Sequence, residues 1–161
     1  EISCSLVGSE MCIRDSLTVV DATRDLLVKV LPYHPFLVKP NNHEVGDIFG
    51  VKLSTREEVV PYGRKLQEMG AQNVLISMAG EGAVLIAADG QSMGAPAPKG
   101  TLVNGVGAGD SMVAGFLTGW MEKKDYVHAF HMGIAAGSAS AFSENLATRE
   151  EVLQVLQQVE Q

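Results

Sequence analysis

A glycine-rich segment runs directly into a helical pattern at residues 103–116, which read VNGVGAGDSMVAGF. Small residues at the start of a helix leave backbone N–H groups open to an anion, and the helix dipole adds positive potential there. Asp110 falls in the first turn of this predicted helix, where a carboxylate can accept a proton from an attacking hydroxyl. The pattern indicates phosphoryl transfer. The alternative is a tight loop that feeds a close-packed helix, with Asp110 as a simple N-terminal charge.

Two common phosphate-binding motifs are excluded for this segment. The dinucleotide fingerprint G-x-G-x-x-G would need a glycine at position 110, where the chain has an aspartate. The P-loop pattern, in which Gly is followed by Lys and then by Ser or Thr, is absent from the chain. A phosphate site at residues 103–116 would therefore belong to another class.

Predicted strands and helices alternate through the first two-thirds of the chain, which favours βαβ units and a parallel sheet covered by helices. Apolar runs predict strands at residues 17–20, 36–38, 73–77 and 83–88. Helical spacing predicts helices at residues 23–31, 42–49, 107–120 and 126–142. A capping box of Ser54 and Glu57 predicts a further helix, Thr148 caps a final one, and Asp89 with Gly90 predicts a hairpin turn.

Small and polar residues follow two of the predicted strands. Residues 39–44 read KPNNHE and place Lys39, Asn41 and Glu44 at the carboxyl end of a strand, where open α/β sheets bind ligands. Lys39 could meet a phosphate, and Asn41 and Glu44 could hold water around Mg²⁺. Capping by the asparagine, with a solvated glutamate, is the alternative. Residues 77–82 read SMAGEG and would let a flat or phosphorylated ligand approach the backbone, unless they form a plain β-turn.

The order and spacing of these three segments resemble those of one enzyme family. VNGVGAGDSMVAGF is similar to the C-terminal signature of the ribokinase-like sugar kinases, the phosphofructokinase B family. KPNNHE resembles that family's Asn-x-x-Glu element, and SMAGEG resembles its nucleotide loop. The resemblance spans Leu17 to the C-terminus and implies a ribokinase-like three-layer α/β/α fold with a mainly parallel sheet. The segments look most like the 1-phosphofructokinase branch, to which the tagatose-6-phosphate kinases are close.

The resemblance implies a role for each segment. Asp110 is implied to be the catalytic base. The backbone N–H groups implied to form the anion hole for the transferred phosphoryl group are those of Gly107, Ala108 and Gly109. Asn41 and Glu44 are implied to organise Mg²⁺ through water. Residues implied to contact ATP are Lys39, Ser77, Met78, Ala79, Gly80, Glu81, Gly82, Gly109 and, on the adenine side within residues 137–145, Ser143.

The implied reaction is ATP-dependent phosphorylation of fructose 1-phosphate to fructose 1,6-bisphosphate, with tagatose 6-phosphate or another sugar as the alternative acceptor. Family members are about twice as long as this chain. That length accommodates one large domain and a lid. Residues 17–161 are therefore expected to be the C-terminal part of a kinase, without the half that carries the lid and most sugar-binding residues. Nucleotide binding without catalysis is the alternative of a different class. A homodimer is expected only of the longer protein.

The chain departs from the family pattern at two places. The nucleotide loop commonly has Gly at its third position, where this chain has Ala79, a change that is tolerated if φ stays negative. Before the anion hole, many members have Asp and then Thr or Ser, often linked to a monovalent cation, whereas this chain has Asn104 and Gly105. Activation by a monovalent cation is therefore not implied.

The composition excludes several classes of function. A hydrophobic content of 46% excludes a disordered chain, and a net charge of −7 without a basic run argues against nucleic-acid binding. No apolar run is long enough to span a membrane. Cys4 and Cys12 both lie within residues 1–16, which lack clean periodicity and are expected to be an unreliable lead-in. Without a visible signal peptide or a disulfide framework, a reducing, cytoplasmic location is expected.

Overall fold

A mixed β-sheet lies at the centre of the computed structural model, which describes residues 17–22 and 24–160. Within those residues the strands are β1 (Val19–Val20), β2 (Leu37–Val38), β3 (Asn73–Ser77), β4 (Ala83–Ile86) and β5 (Ser92–Ala95), side by side in chain order. The pairs β1–β2 and β2–β3 are parallel, whereas β3–β4 and β4–β5 are antiparallel. The predicted α/β sheet is confirmed. It is mixed rather than mainly parallel, because short turns at residues 78–82 and 87–91 reverse the chain directly.

Helices cover the sheet on both faces. In the described part of the chain they are α1 (Arg24–Val30), α2 (Asn42–Phe49), α3 (Arg56–Glu68), α4 (Ala108–Lys123), α5 (Tyr126–Phe142) and α6 (Arg149–Val159). The bounds of α2 and α5 match the predicted helices residue for residue, and Thr148 caps α6 as predicted. The other predicted helices are confirmed with shifted ends. None of the helices described is both long and apolar enough to cross a membrane.

One local prediction is corrected by the structure, and one strand was not predicted. The capping box of α3 lies one residue later than predicted, because the Thr55 hydroxyl accepts from Glu58 N and the Glu58 carboxylate accepts from Thr55 N. The Ser54 backbone N–H also donates to that carboxylate, at 2.8 Å. Strand β5 was not predicted, because its residues, SMGA, contain no apolar run. It lies at the edge of the sheet, next to β4.

Alternating residues of β3 face opposite sides of the sheet, as the two-residue period of a strand requires. Val74 and Ile76 belong to the core beneath α1, α2 and α3. Leu75 faces the other side, where it packs with Phe116 of α4 and Phe130 of α5. The predicted three-layer α/β/α arrangement is therefore confirmed, and α6 adds to it by packing on α5.

Helices α4 and α5 approach each other closely, as the small residues on both predict. A Cβ atom at Gly115 would collide with the carbonyl oxygen of Met132, and one at Gly137 would lie 3.0 Å from the carbonyl oxygen of Ala108. The start of α4 is therefore held against the C-terminal half of α5.

Residues 1–16 lie outside the described part of the chain, together with both cysteines. The expectation that this segment is an unreliable lead-in stays a prediction.

Candidate active site

The carboxyl ends of the three parallel strands meet at one edge of the sheet. The parallel register of β1 and β2 places Asp21, the residue after β1, next to Lys39, the residue after β2. The backbone N–H of Ser77, at the end of β3, donates to the carbonyl oxygen of Pro40 at 3.1 Å. The structure thus brings the predicted KPNNHE segment against the start of the predicted nucleotide loop.

Lys39 is a buried cation at this edge of the sheet. Its side chain is only 9% exposed, and its Nζ lies 3.1 Å from Oδ2 of Asp21, whose side chain is 38% exposed. A Cβ atom at Gly109 would lie 3.1 Å from the same Nζ. The ammonium therefore reaches from β2 to the first turn of α4, so two segments predicted separately lie against each other. An ammonium has three N–H donors, so the pairing with Asp21 leaves donors for an anion.

The segment that precedes α4 has the backbone geometry of an anion site. Gly107 is the N-cap of α4 with φ +78°, a conformation that favours glycine, and it supplies no side-chain cap. The Ala108 N–H has only a long contact, 3.4 Å, to the carbonyl oxygen of Gly105. The first N–H groups of a helix have no partner within the helix, so an anion can satisfy them. Asp110 lies exposed in the first turn of α4, as predicted.

Asn41 and Glu44, the residues predicted to organise Mg²⁺, form a capping box at the start of α2. Asn41 Oδ1 accepts from Glu44 N at 2.9 Å, and Glu44 Oε2 accepts from Asn41 N at 2.8 Å. The capping alternative is therefore present in the structure, and Glu44 Oε1 lies outside this pair of bonds. Among the described residues, no group of three or more His, Cys, Asp or Glu side chains could hold a metal ion by itself.

The predicted nucleotide loop is a turn between two antiparallel strands. Ser77 is half-buried at the end of β3, Met78 is 4% exposed and belongs to the core beneath α1, α2 and α3, and residues 79–81 form a short exposed 3₁₀ turn. Ala79 has φ +48°, so the condition stated for tolerating an alanine at this position, a negative φ, is not met. The turn is closed by the Met78 N–H donating to the Gly82 carbonyl at 2.9 Å, and this closure imposes the left-handed conformation that glycine adopts most easily.

The predicted adenine side lies next to the segment that precedes α4. Backbone N–H groups of Val103 and Asn104 both donate to the carbonyl oxygen of Ala141 near the end of α5. Ser143 is the C-cap of α5, and its hydroxyl donates to Glu151 at 3.4 Å, which directs it toward α6.

Hydrogen bonds from Thr148, and a weaker one from Ser143, hold the pKa of Glu151 below its ordinary value.

Two serines that sequence analysis did not single out join these elements. The Ser140 hydroxyl, on α5, donates to the Ser111 hydroxyl, on α4, at 2.8 Å and accepts from Ala147 N at 3.1 Å. They line a groove of about 490 Å³ between α4, α5 and α6. No local pattern marks them, because the contact depends on how the two helices pack.

Asp21 is a second residue that sequence analysis missed. It stands immediately after the first predicted strand, as Lys39 stands immediately after the second. Adjacent parallel strands bring their carboxyl ends to the same edge, so this shared position was a signal that could have identified it.

Comparison with known proteins shows the family of the chain. A model of the pfkB family carbohydrate kinases matches residues 7–152. A 1-phosphofructokinase of Bacillus subtilis is 48% identical over 152 residues, which cover 94% of this chain and 50% of that protein. A D-tagatose-1-phosphate kinase of Klebsiella oxytoca is 31% identical, with coverage of 94% and 50%.

A solved structure supports the fold by superposition. A provisionally assigned phosphofructokinase of Staphylococcus aureus superposes with a TM-score of 0.84 at 38% identity, over 93% of this chain and 49% of that one. The chain thus spans about half the length of the relatives it matches. The matched family range begins at residue 7, inside the segment that the sequence pattern sets apart.

Proposed function

Because the chain belongs to the pfkB family of carbohydrate kinases, we propose that it supplies the ATP site and the catalytic base of a sugar-phosphate kinase. The proposed acceptor is fructose 1-phosphate and the product fructose 1,6-bisphosphate, which the likeness to the Bacillus subtilis 1-phosphofructokinase supports. The observation that carries the proposal is the position of Lys39 Nζ against Gly109, one residue before Asp110. A fixed cation, the first N–H groups of the helix and a carboxylate then share one helix N-terminus.

In the proposed reaction, Asp110 accepts the proton of the acceptor hydroxyl. The hydroxyl oxygen forms a bond to the γ-phosphorus of ATP, and the bond from that phosphorus to the β–γ bridging oxygen breaks, so that ADP leaves. Backbone N–H groups of Gly107, Ala108 and Gly109 stabilise charge on the transferred phosphoryl group. The Lys39 ammonium, fixed before the substrate arrives, adds positive charge at the same place.

The proposed Mg²⁺ site uses Asn41 and Glu44. Mg²⁺ keeps several waters in such enzymes and is bound through one or two carboxylates together with substrate phosphates. A single carboxylate whose Oε1 lies outside the capping box fits that requirement. The ion, when bound, neutralises phosphate charge. Asn41 and Glu44 hold each other in place by their reciprocal bonds, so they can orient water without rearranging.

The proposed nucleotide contacts come from the turn at residues 77–82 and from the end of α5. Ala79, Gly80 and Glu81 are exposed, so this turn can be approached by a ligand. Met78 supports the turn from the core. Ser143 is the weakest of the proposed contacts, since its hydroxyl already bonds to Glu151.

A tagatose phosphate is the second candidate acceptor. The relative from Klebsiella oxytoca, a D-tagatose-1-phosphate kinase, supports it at 31% identity. Initial rates of the 161-residue chain with fructose 1-phosphate, tagatose 1-phosphate and tagatose 6-phosphate decide between the two, because in a fusion with a relative's N-terminal half that half would contribute to the choice of sugar. A higher kcat/KM for either tagatose phosphate would overturn the proposed acceptor while leaving the kinase reaction intact.

The kinase proposal is tested in a protein of the relatives' full length, made by joining residues 17–161 to the N-terminal half of the Bacillus subtilis relative. Asp110→Asn is expected to lower kcat by about 10²–10⁴, which is the usual contribution of a general base, with little change in MgATP affinity. Glu150→Gln is the matched control, because Glu150 is also an exposed acid in the first turn of a helix. An Asp110→Asn variant with more than a tenth of the original kcat would exclude Asp110 as the base.

The 161-residue chain is assayed separately with MgATP and fructose 1-phosphate. Saturable MgATP binding without turnover would support the alternative in which this chain binds nucleotide but does not catalyse. Turnover by the chain itself would exclude that alternative.

A further inference from the structure

Asp21 and Lys39 form an ion pair at the point where β1 and β2 end. The Lys39 side chain is buried and the Asp21 side chain is about one-third exposed, with 3.1 Å between Nζ and Oδ2. The backbone supports this geometry, because Lys39 N donates to the carbonyl oxygen of Val20 at 3.3 Å. The pair therefore lies at a fixed register of the sheet.

A lysine side chain needs outside contacts to hold its ammonium at one place. Its four-carbon stem is flexible and its ammonium is a compact, freely rotating donor group. Two features limit the Lys39 ammonium here: the Asp21 carboxylate on one side and the first turn of α4 on the other, where Gly109 has no Cβ. Of these two, only Asp21 offers an attractive contact that can select one side-chain conformation.

We propose that Asp21 is a positioning residue, which holds the Lys39 ammonium at the N-terminus of α4 so that this ammonium binds the phosphates of ATP. The inference rests on the proposed function, because it assigns the anion at α4 to the triphosphate. Asp21 acts through Lys39 and does not touch the reacting atoms. Its own charge is partly in solvent, so it can orient the ammonium while leaving two N–H donors for phosphate.

The experiment measures MgATP affinity of the 161-residue chain by calorimetry. Asp21→Asn is expected to raise Kd about tenfold, as loss of one charge-assisted bond predicts. Asp21→Glu is expected to recover most of that affinity, since a carboxylate can again reach the ammonium. Asp89→Asn is the matched control: it makes the same charge change in the turn between β4 and β5, and it should leave Kd unchanged.

A double-mutant cycle separates positioning from a general structural role. Lys39→Met is expected to raise Kd at least as much as Asp21→Asn, and adding Asp21→Asn to Lys39→Met should have no further effect. Circular dichroism and Trp120 fluorescence check that each variant keeps the fold. Additive effects of the two substitutions on Kd would overturn the inference. It would also be overturned if Asp21→Asn changed only the Mg²⁺ concentration that ATP binding requires and left Kd at saturating Mg²⁺ unchanged.

The outcomes distinguish the inference from the proposed function. Binding of MgATP by the unmodified chain with an unchanged Kd in Asp21→Asn would overturn the inference alone. Absence of MgATP binding by the unmodified chain would overturn both. Loss of affinity in Asp21→Asn and recovery in Asp21→Glu would support the inference even if fructose 1-phosphate were not the acceptor.

Discussion

The Ser140 hydroxyl donates a 2.8 Å hydrogen bond to the Ser111 hydroxyl, and so joins α5 to the first turn of α4 one residue beyond Asp110. Ser140 is 3% exposed and also accepts from Ala147 N, which leads into α6. One buried hydroxyl therefore connects the proposed base, the proposed adenine side and the last helix. The stability of this corner is expected to depend on it.

Ser140→Ala is expected to lower the free energy of unfolding by about 1 kcal/mol, because it leaves the half-buried Ser111 hydroxyl and Ala147 N–H without this partner. Urea unfolding followed by fluorescence of Trp120, the single tryptophan, measures the change. Ser138→Ala, on the same helix but half-buried, is the control and should cost less. Equal losses in both variants would mean that the Ser140 bonds contribute no net stability.

Gly109→Ala is expected to weaken MgATP binding, because its Cβ would lie 3.1 Å from Lys39 Nζ and displace the ammonium. Because the ammonium need shift by only a few tenths of an ångström, the loss of affinity is expected to be smaller than that of Lys39→Met. Stability should not fall, since alanine is favoured over glycine within a helix. Gly105→Ala is the control, because a Cβ there meets no atom within 4 Å. Calorimetry that finds the same Kd for both variants would contradict the proposed place of the phosphates.

Ala79→Gly is expected to stabilise the chain by about 1 kcal/mol, because an L-residue pays a steric cost of that order at a left-handed backbone position. The φ of Ala79 is +48°. Gly80→Ala is the reverse control: a Cβ at Gly80 meets nothing within 4 Å and its φ is not positive, so alanine should fit there. Thermal unfolding of the two variants checks the difference, and a destabilised Ala79→Gly would argue against the left-handed turn.

The stability contributed by Glu151 is expected to depend on pH. Hydrogen bonds from Thr148 to the charged carboxylate hold the folded-state pKa of Glu151 below its ordinary value of 4.5, so folding favours the deprotonated form. That contribution is complete above the unfolded-state pKa and is lost as pH falls through the folded-state pKa. Glu151→Gln should therefore destabilise the chain near neutral pH, and the difference from the unmodified chain should shrink in acid.

Urea unfolding at several pH values between neutral and strongly acidic conditions tests this dependence. Glu150→Gln removes the same charge from the same helical turn outside the capping box, and it is expected to show a smaller difference at neutral pH. A difference for Glu151→Gln that stays constant into acid would show that the hydrogen bonds to Glu151 do not depend on its charge.

Helix boundaries were predictable where one short-range signal was unambiguous. Asn41 with Glu44 begins α2 and Gly50, with φ +67°, ends it, so the predicted and observed helices coincide. The start of α3 was ambiguous, since Ser54 and Thr55 each have a glutamate three residues later. Burial of Val59 and Leu66 against the sheet accompanies the Thr55 start, and that is a tertiary contact.

The conformation of Ala79 could not be predicted, because it is imposed by the short connection between β3 and β4. The sequence offers Gly80 as the residue best suited to a left-handed turn, yet the positive φ falls on its neighbour. Strand β5 was missed for a related reason. Its residues Ser92–Ala95 form a strand through pairing with β4 and have no apolar pattern of their own.

Local patterns in the chain determined the three segments of the site, most helices and the α/β class, because caps, turns and hydrophobic periodicity act over a few residues. The relationship of Lys39 to Asp21 and to Gly109 was decided only by tertiary structure. The first depends on the register of β1 and β2, and the second on the position of α4 against the sheet and α5. Contacts between residues 18 and 70 positions apart are formed by packing, and no local pattern specifies them.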